Sequence, residues 1–223
     1  MIEDQLQQIR AQITLAEQSF NRPNGSVTLL AVSKTKPAAM VAQAYQAGQR
    51  HFGENYVQEA ISKQQLLGAF DITWHFIGPI QSNKTKLIAR HFQWVHSVDS
   101  IKIARRLSEQ RPSHLPPLNI CLQINISNED SKSGFALAQL PEVYRQMTEL
   151  ANLNLRGVMA IPAPEEDFAK QRLPYQLLMK QVASIAEAKF DTFSFGMSGD
   201  LVAAIAEGST VVRIGTALFG ARA

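Results

Sequence analysis

Short runs of apolar residues alternate along most of the chain with longer stretches in which apolar residues recur every three or four positions. The short runs read as buried strands and the longer stretches as amphipathic helices. Strands are expected over 27–34 (VTLLAVSK), 51–55 (HFGEN), 74–79 (WHFIGP), 94–99 (WVHSVD), 118–126 (LNICLQINI), 155–162 (LRGVMAIP), 192–198 (TFSFGMS) and 211–215 (VVRIG). Helices are expected over 38–47, 56–67, 83–92, 100–110, 137–150, 174–189 and 200–207. A further helix opens the chain, with Ile2, Leu6, Ile9 and Ile13 on one face, and NRPNG ends it. A short last helix can follow Thr216, or the N-terminal helix can cover that part of the rim. Pro174 suits a first helical position better than a helix interior, so EEDFAKQRL before it reads as a loop or a separate short helix.

Eight strands that alternate with helices call for parallel pairing through crossover connections. The class is α/β, and the count and length suit a (β/α)8 TIM barrel near the small end of that fold's range. A doubly wound open sheet is the alternative. It wants fewer strands and usually a glycine-rich turn after the first, whereas SKTKPAA contains no glycine. No linker or low-complexity segment interrupts the alternation, so residues 1–223 read as one domain.

Composition narrows the function classes. Of 223 residues, 45% are hydrophobic and 18% charged, enough to bury a sizeable core. The net charge of +3 is mild and no long Lys/Arg run occurs, which argues against nucleic acid as a partner. The first twenty residues carry acids early and lack the continuous apolar core of a signal peptide, and no apolar stretch approaches the roughly 18 residues of a membrane span. Cys121 is the single cysteine, so no disulfide forms within the chain; inside LNICLQINI it reads as a packing residue. The expectation is a cytoplasmic protein with no membrane association.

In a barrel of this kind the chemistry sits where the strands end. Those ends deliver Lys34; Glu54 and Asn55; Gly78 and Pro79; Ser97 and Asp99; Asn125, followed by Lys132; Met159 and Pro162; Gly196 to Ser198; and Arg213, Gly215 and Thr216. GMSGD and RIGT, after the last two strands, put small residues and backbone N–H groups where this fold often holds a phosphate. The plainer reading is ordinary turn glycines and a capping serine. Lys34 shares strand parity with Leu30 and Val32, so if they point inward it does too, partly desolvated and nucleophilic; the plainer reading is a surface lysine. Lys36 has the same parity, but Pro37 biases it toward the loop. A lysine able to form a Schiff base opposite a phosphate cup suits either a phosphorylated carbonyl substrate or pyridoxal 5′-phosphate (PLP). Arg213 can project beside the cup, where it would keep a pyridine nitrogen unprotonated; alternatively it serves a salt bridge. The five histidines form no HxH or HExxH pair, which argues against zinc.

The motifs AVSKTKP, FGENYVQE, WHFIGPIQSNK, RGVMAIP, FGMSGD and VVRIGTALFG, in this order, resemble the pyridoxal phosphate homeostasis proteins over about 29–221. These are PLP fold-type III barrels related to the barrel domain of alanine racemase. The resemblance implies that Lys34 holds PLP as a Schiff base and that Ser198 binds its phosphate with Gly199 nearby. It implies Arg213 near the pyridine nitrogen, Gly215 and Thr216 at the phosphate, and Asn55 and Met159 lining the pocket. Lys36 and Lys132 match further lysines of the family, as secondary acceptors or transfer relays. Alanine racemases continue into a C-terminal β-domain and draw a tyrosine from a partner subunit. This sequence stops at FGARA, so the expectation is no C-terminal β-domain and no second acid/base. The resemblance thus implies a monomer that buffers and delivers PLP to PLP-dependent apo-enzymes, with indirect effects on amino-acid and keto-acid balance and no robust catalysis. A narrow-range amino-acid racemase and a cofactor-free aldolase remain the alternatives.

Overall fold

The structure, a computed structural model, describes residues 1–127, 133–185 and 187–221. Strands β1 (Thr28–Val32), β2 (His51–Glu54), β3 (Thr73–Phe76), β4 (Trp94–Val98), β5 (Leu118–Asn125), β7 (Leu153–Ala160), β8 (Thr192–Ser194) and β9 (Val211–Ile214) all pair in parallel. Their order, β4-β3-β2-β1-β9-β8-β7-β5, is closed by pairing of β5 with β4, so the sheet is an eight-stranded barrel. The eight expected strands are these eight. The two-residue β6 (Phe135–Ala136) pairs on β5 outside the ring.

Helices α2 (Ala38–Gln46), α3 (Val57–Leu66), α4 (Thr85–His91), α5 (Ile101–Gln110), α6 (Leu140–Thr148), α7 (Phe168–Ala183), α8 (Leu201–Ala206) and α9 (Thr216–Phe219) follow successive strands and bury apolar stripes against the sheet. Ser100 caps α5 by accepting from Ile103 N–H; the neighbouring Asp99 does not cap it. The last two crossovers are short, six residues in α8 and four in α9. Helix α1 (Ile2–Ser19) fills the gap they leave, packing on α2, α8 and α9 through Leu6, Ile9, Ile13 and Ala16. Both alternatives for the end of the chain therefore hold at once. Buried Glu17 of α1 accepts from Gly25 N–H, Ser26 Oγ and Val27 N–H, and so fixes the turn that leads into β1.

The sixth crossover corrects the sequence reading. Pro174 does not start a helix; it sits inside α7, which begins at Phe168 behind the Asp167 cap. The Asp167 carboxylate accepts from Lys170 N–H at 2.9 Å. Pro174 withholds the N–H that would meet the Lys170 carbonyl. The helix persists because Tyr175, Leu178 and Val182 on its inner face are buried and its first turn is tied down elsewhere: Gln171 Nε2 donates to the carbonyls of Glu165 and Gly199.

Candidate functional site at the barrel mouth

Regular β1 ends at Val32, two residues before Lys34, although Ser33 N–H still donates to Gly53 O on β2. The chain then turns: Lys36 N–H donates to Ser33 O at 3.0 Å, and Thr35 lies at φ 63°. A β-branched residue in the left-handed region is strained and needs support. Helix α3 supplies it. Glu59 accepts from Thr35 N–H at 2.6 Å, and Lys63 Nζ donates to Ser33 O (2.7 Å), Glu54 Oε1 (2.7 Å) and Glu59 Oε1 (2.6 Å). Ser33 Oγ donates to the same Glu54 oxygen. Lys63 and Glu54 are both buried. Burial raises the Glu54 carboxyl above its ordinary value, with the Lys63 ammonium opposing it. Lys34 is thus flanked on both sides by backbone pinned from α3.

Lys34 is half-buried and opens, with Val32, into a cleft of about 400 Å³ at the C-terminal mouth. Asn55, Met159, Ser198, Gly199, Arg213, Gly215 and Thr216 line the same cleft, as do Ile77, Ile161 and Met197. All eight residues expected at the principal site therefore share one cavity. Lys36 does not line it; its ammonium donates to Ala221 O at 2.6 Å. Lys132 lies outside the described residues. A larger hollow of about 660 Å³ between α1 and α2 is walled by Met1, Ile2, Glu3, Met40, Ala47 and three glutamines and holds none of the residues expected at the site.

Each wall of the cleft has a local cause. Asn55 comes as close as it does because residue 78 is glycine: a Cβ there would stand 2.4 Å from Asn55 O. Asn55 Oδ1 is buried and accepts no hydrogen bond from the protein. On the opposite side Gly196, at φ 98° with Ala204 Cβ only 2.6 Å from where its own would be, starts the turn from Met197 to Asp200. Asp200 Oδ1 accepts from Met197 N–H at 2.7 Å, Tyr175 Oη donates to Asp200 Oδ2, and Gln171 donates to Gly199 O. The Tyr175 ring stacks on Phe195 at 4.6 Å, and burial, with Asp200 beside it, pushes the phenol above its ordinary pKa. A Cβ at Gly199 would meet nothing within 4 Å, so that backbone faces open cleft. Helices α8 and α9 are too short for a large macrodipole. Any anion here depends on backbone N–H groups and hydroxyls, the small-residue basis expected from GMSGD and RIGT, with little help from a helix dipole.

Arg213 is 5% exposed and forms no ion pair among the described residues. Its guanidinium donates through Nη1 to Ser194 O and to Ser194 Oγ (2.9 Å) and through Nη2 to Ala160 O (3.1 Å). Burial lowers its pKa, but a guanidinium stays cationic in a protein. Ser194, Tyr175, Gln171 and Lys63 support the site from outside the family motifs, and Glu59 from the end of FGENYVQE. The Glu59–Lys63 pair did carry a signal, opposite charges four apart on one helix face. Cys121 is fully buried, its thiol pushed up to about 12, in keeping with a packing role.

Closed parallel topology with a lysine after β1 and small-residue turns after β8 and β9 places the molecule in a recognised class. The sequence profile described as "Alanine racemase, N-terminal domain" matches residues 5–223, and the chain belongs to that family. Its high-identity relatives carry a more particular name. It is 56% identical over 221 residues to the pyridoxal phosphate homeostasis protein of Pseudomonas aeruginosa, covering 99% of this chain and 96% of that one. It is 52% identical over 225 residues to the protein of the same name from Escherichia coli, covering 97% and 95%. The solved structure of PipY from Synechococcus elongatus with PLP bound superposes with a TM-score of 0.85 at 37% identity, covering 99% of this chain and all of that one.

Proposed function

We propose that this chain is a PLP-binding domain over 1–223 that buffers and delivers the cofactor, with Lys34 as its covalent anchor. One observation carries the reading: Lys34, the Ser198–Gly199 and Gly215–Thr216 turns and Arg213 line a single cleft at the end of the barrel where this fold does its chemistry. The residues fit the cofactor group by group. Lys34 offers an amine. Ser198 offers a hydroxyl beside the open backbone of Gly199, and Thr216 a second beside Gly215. Arg213 offers a fixed cation, and the orphaned Asn55 Oδ1 an acceptor without a protein donor. Val32, Ile77, Met159 and Ile161 supply apolar walls for a flat ring. The cleft volume falls within the range of small-molecule sites, about 300–1,000 Å³.

When bound, PLP supplies an aldehyde that condenses with amines and a pyridine ring that draws electrons. The chain's own residues hold and orient it. Lys34 presents its amine at a turn that α3 holds in place; the 196–200 turn would receive the phosphate, and Arg213 would meet the ring as a cation that donates hydrogen bonds without releasing a proton. The named relatives are homeostasis proteins, and the cleft supports a non-catalytic reading: Lys34 and Arg213 are the titratable groups among the described residues that line it. Two-base racemisation needs an acid/base on each face of the substrate. PLP-dependent apo-enzymes are the natural recipients of a cofactor held this way.

Titration of the protein with PLP, followed by visible absorbance, tests the reading. The wild type should develop a protein-bound band that Lys34→Ala abolishes and Lys36→Ala keeps. A colourless wild type, or an unchanged band in Lys34→Ala, overturns it. Rapid turnover of any amino acid in a racemisation panel would refute the non-catalytic part.

A further inference from the structure

Below Arg213 the barrel interior holds an unbroken run of polar contacts. His51 Nδ1 lies 3.0 Å from His75 Nε2, His75 Nδ1 lies 2.8 Å from His96 Nε2, and His96 Nδ1 lies 2.7 Å from Ser194 Oγ. Arg213 Nη1 reaches the same hydroxyl at 2.9 Å. The run starts in a pocket of about 280 Å³ at the opposite, N-terminal face, beside Trp94 and the Arg156–Asp191 ion pair. It ends in the cleft at the C-terminal mouth. His75, His96 and Ser194 are buried and His51 is partly exposed. Burial lowers the pKa of all three imidazoles, that of His96 to about 3, so all are neutral near pH 7.

Donor rules then set the direction of every bond. A guanidinium only donates, so Ser194 Oγ accepts from Arg213 and gives its own proton to His96 Nδ1. Neutral His96 must carry its proton on Nε2 and donate it to His75 Nδ1. His75 in turn donates from Nε2 to His51 Nδ1, and His51 points its remaining N–H toward the N-terminal pocket. In the reverse arrangement Ser194 Oγ would accept twice and its buried proton would lack an acceptor, which is costly. We propose that Ser194, His96, His75 and His51 are positioning residues, one directional hydrogen-bond chain that orients Arg213 in the cleft from the far end of the barrel. It follows that a ligand that engages Arg213 is sensed at His51.

The test begins without any ligand, so it stands apart from the PLP reading on which its second arm rests. Two-bond proton–nitrogen correlation spectra of the ¹⁵N-labelled full chain report which ring nitrogen carries the proton. The expected result is an Nε2–H tautomer at His51, His75 and His96. An Nδ1–H tautomer at any of them overturns the chain. Ser194→Ala should shift the imidazole signals of distant His51 as well as those of His96, and Ser194→Thr should restore them. Unmoved His51 signals in a folded Ser194→Ala protein contradict the proposal. In the second arm, PLP should move the His51 signals in the wild type but not in Ser194→Ala. A visible band with no movement at His51 refutes the coupling. Absence of any band refutes the cofactor reading instead, and the ligand-free tautomers still decide the chain.

Discussion

Lys63 and Glu54 meet beneath Ser33 with almost no exposure, and what they hold in place is Ser33, the residue before Lys34, while Glu59 beside them holds Thr35 after it. Removing one member of a buried pair leaves the other uncompensated, at a cost of about 3–5 kcal/mol. Lys63→Met is expected to lose that much stability. The loss should depend on pH with a definite sign. The Glu54 carboxyl is raised above its ordinary value, and the variant lacks the ammonium that opposes the rise. The folded variant therefore keeps a proton that the unfolded chain releases, and its stability falls as pH climbs from the unfolded value toward the raised folded one. Urea unfolding should show a larger deficit at pH 8 than at pH 5; equal deficits would contradict the pairing. At this scale the sequence was legible where a residue's position along a strand decides its fate. Lys34, Asn55 and Ser198 lie in the turns that follow strands and Arg213 within β9, and closure of the barrel brings them together. Glu59 and Lys63 were readable as a helical pair but not as props for a turn whose strain, at Thr35, appears in no residue-type preference.

At the scale of elements, the eight strands followed from eight apolar runs, while their ends did not. The run TFSFGMS contains only a three-residue strand because Gly196 turns the chain into the left-handed region. Helix α7 starts before Pro174, contrary to the expectation from the proline, because Asp167, seven residues earlier, caps it. That cap, the buried inner face and the Gln171 bonds outweigh the loss of one backbone hydrogen bond. The misfit still costs stability, so Pro174→Ala should restore the donor to Lys170 O and stabilise the protein by about 1–3 kcal/mol. A rise in the melting temperature checks this. A fall would mean that the proline ring, which lines the small groove beside Met197 and Gly199, packs better than an alanine can.

At the scale of the whole molecule, the barrel interior is only partly apolar. His51, His75 and His96 lie more than twenty residues apart in sequence and match no local motif, but β2, β3 and β4 are neighbours in the ring and each turns a histidine inward. Local spacing rules for histidine look within one helix or one turn, and so they passed over a cluster that only strand adjacency creates. Its consequence for stability is direct. Each of these imidazoles has its folded pKa depressed, so the stabilisation is complete above the unfolded value of 6.5 and is lost as pH falls below it. For His96, held to about 3, the loss reaches about 2 kcal/mol by pH 5. Thermal melts should therefore drop between pH 7.5 and pH 5, and a flat profile would contradict neutral burial.

No helix among the described residues is long and apolar enough to cross a membrane. The central claim is that the amine of Lys34, in the turn after β1, anchors the cofactor in the mouth of this barrel. Borohydride reduction of the PLP-loaded protein followed by peptide mapping measures it most directly. The account predicts a stable pyridoxyl label on Lys34; a label confined to Lys36, or to any lysine outside the cleft, would contradict it.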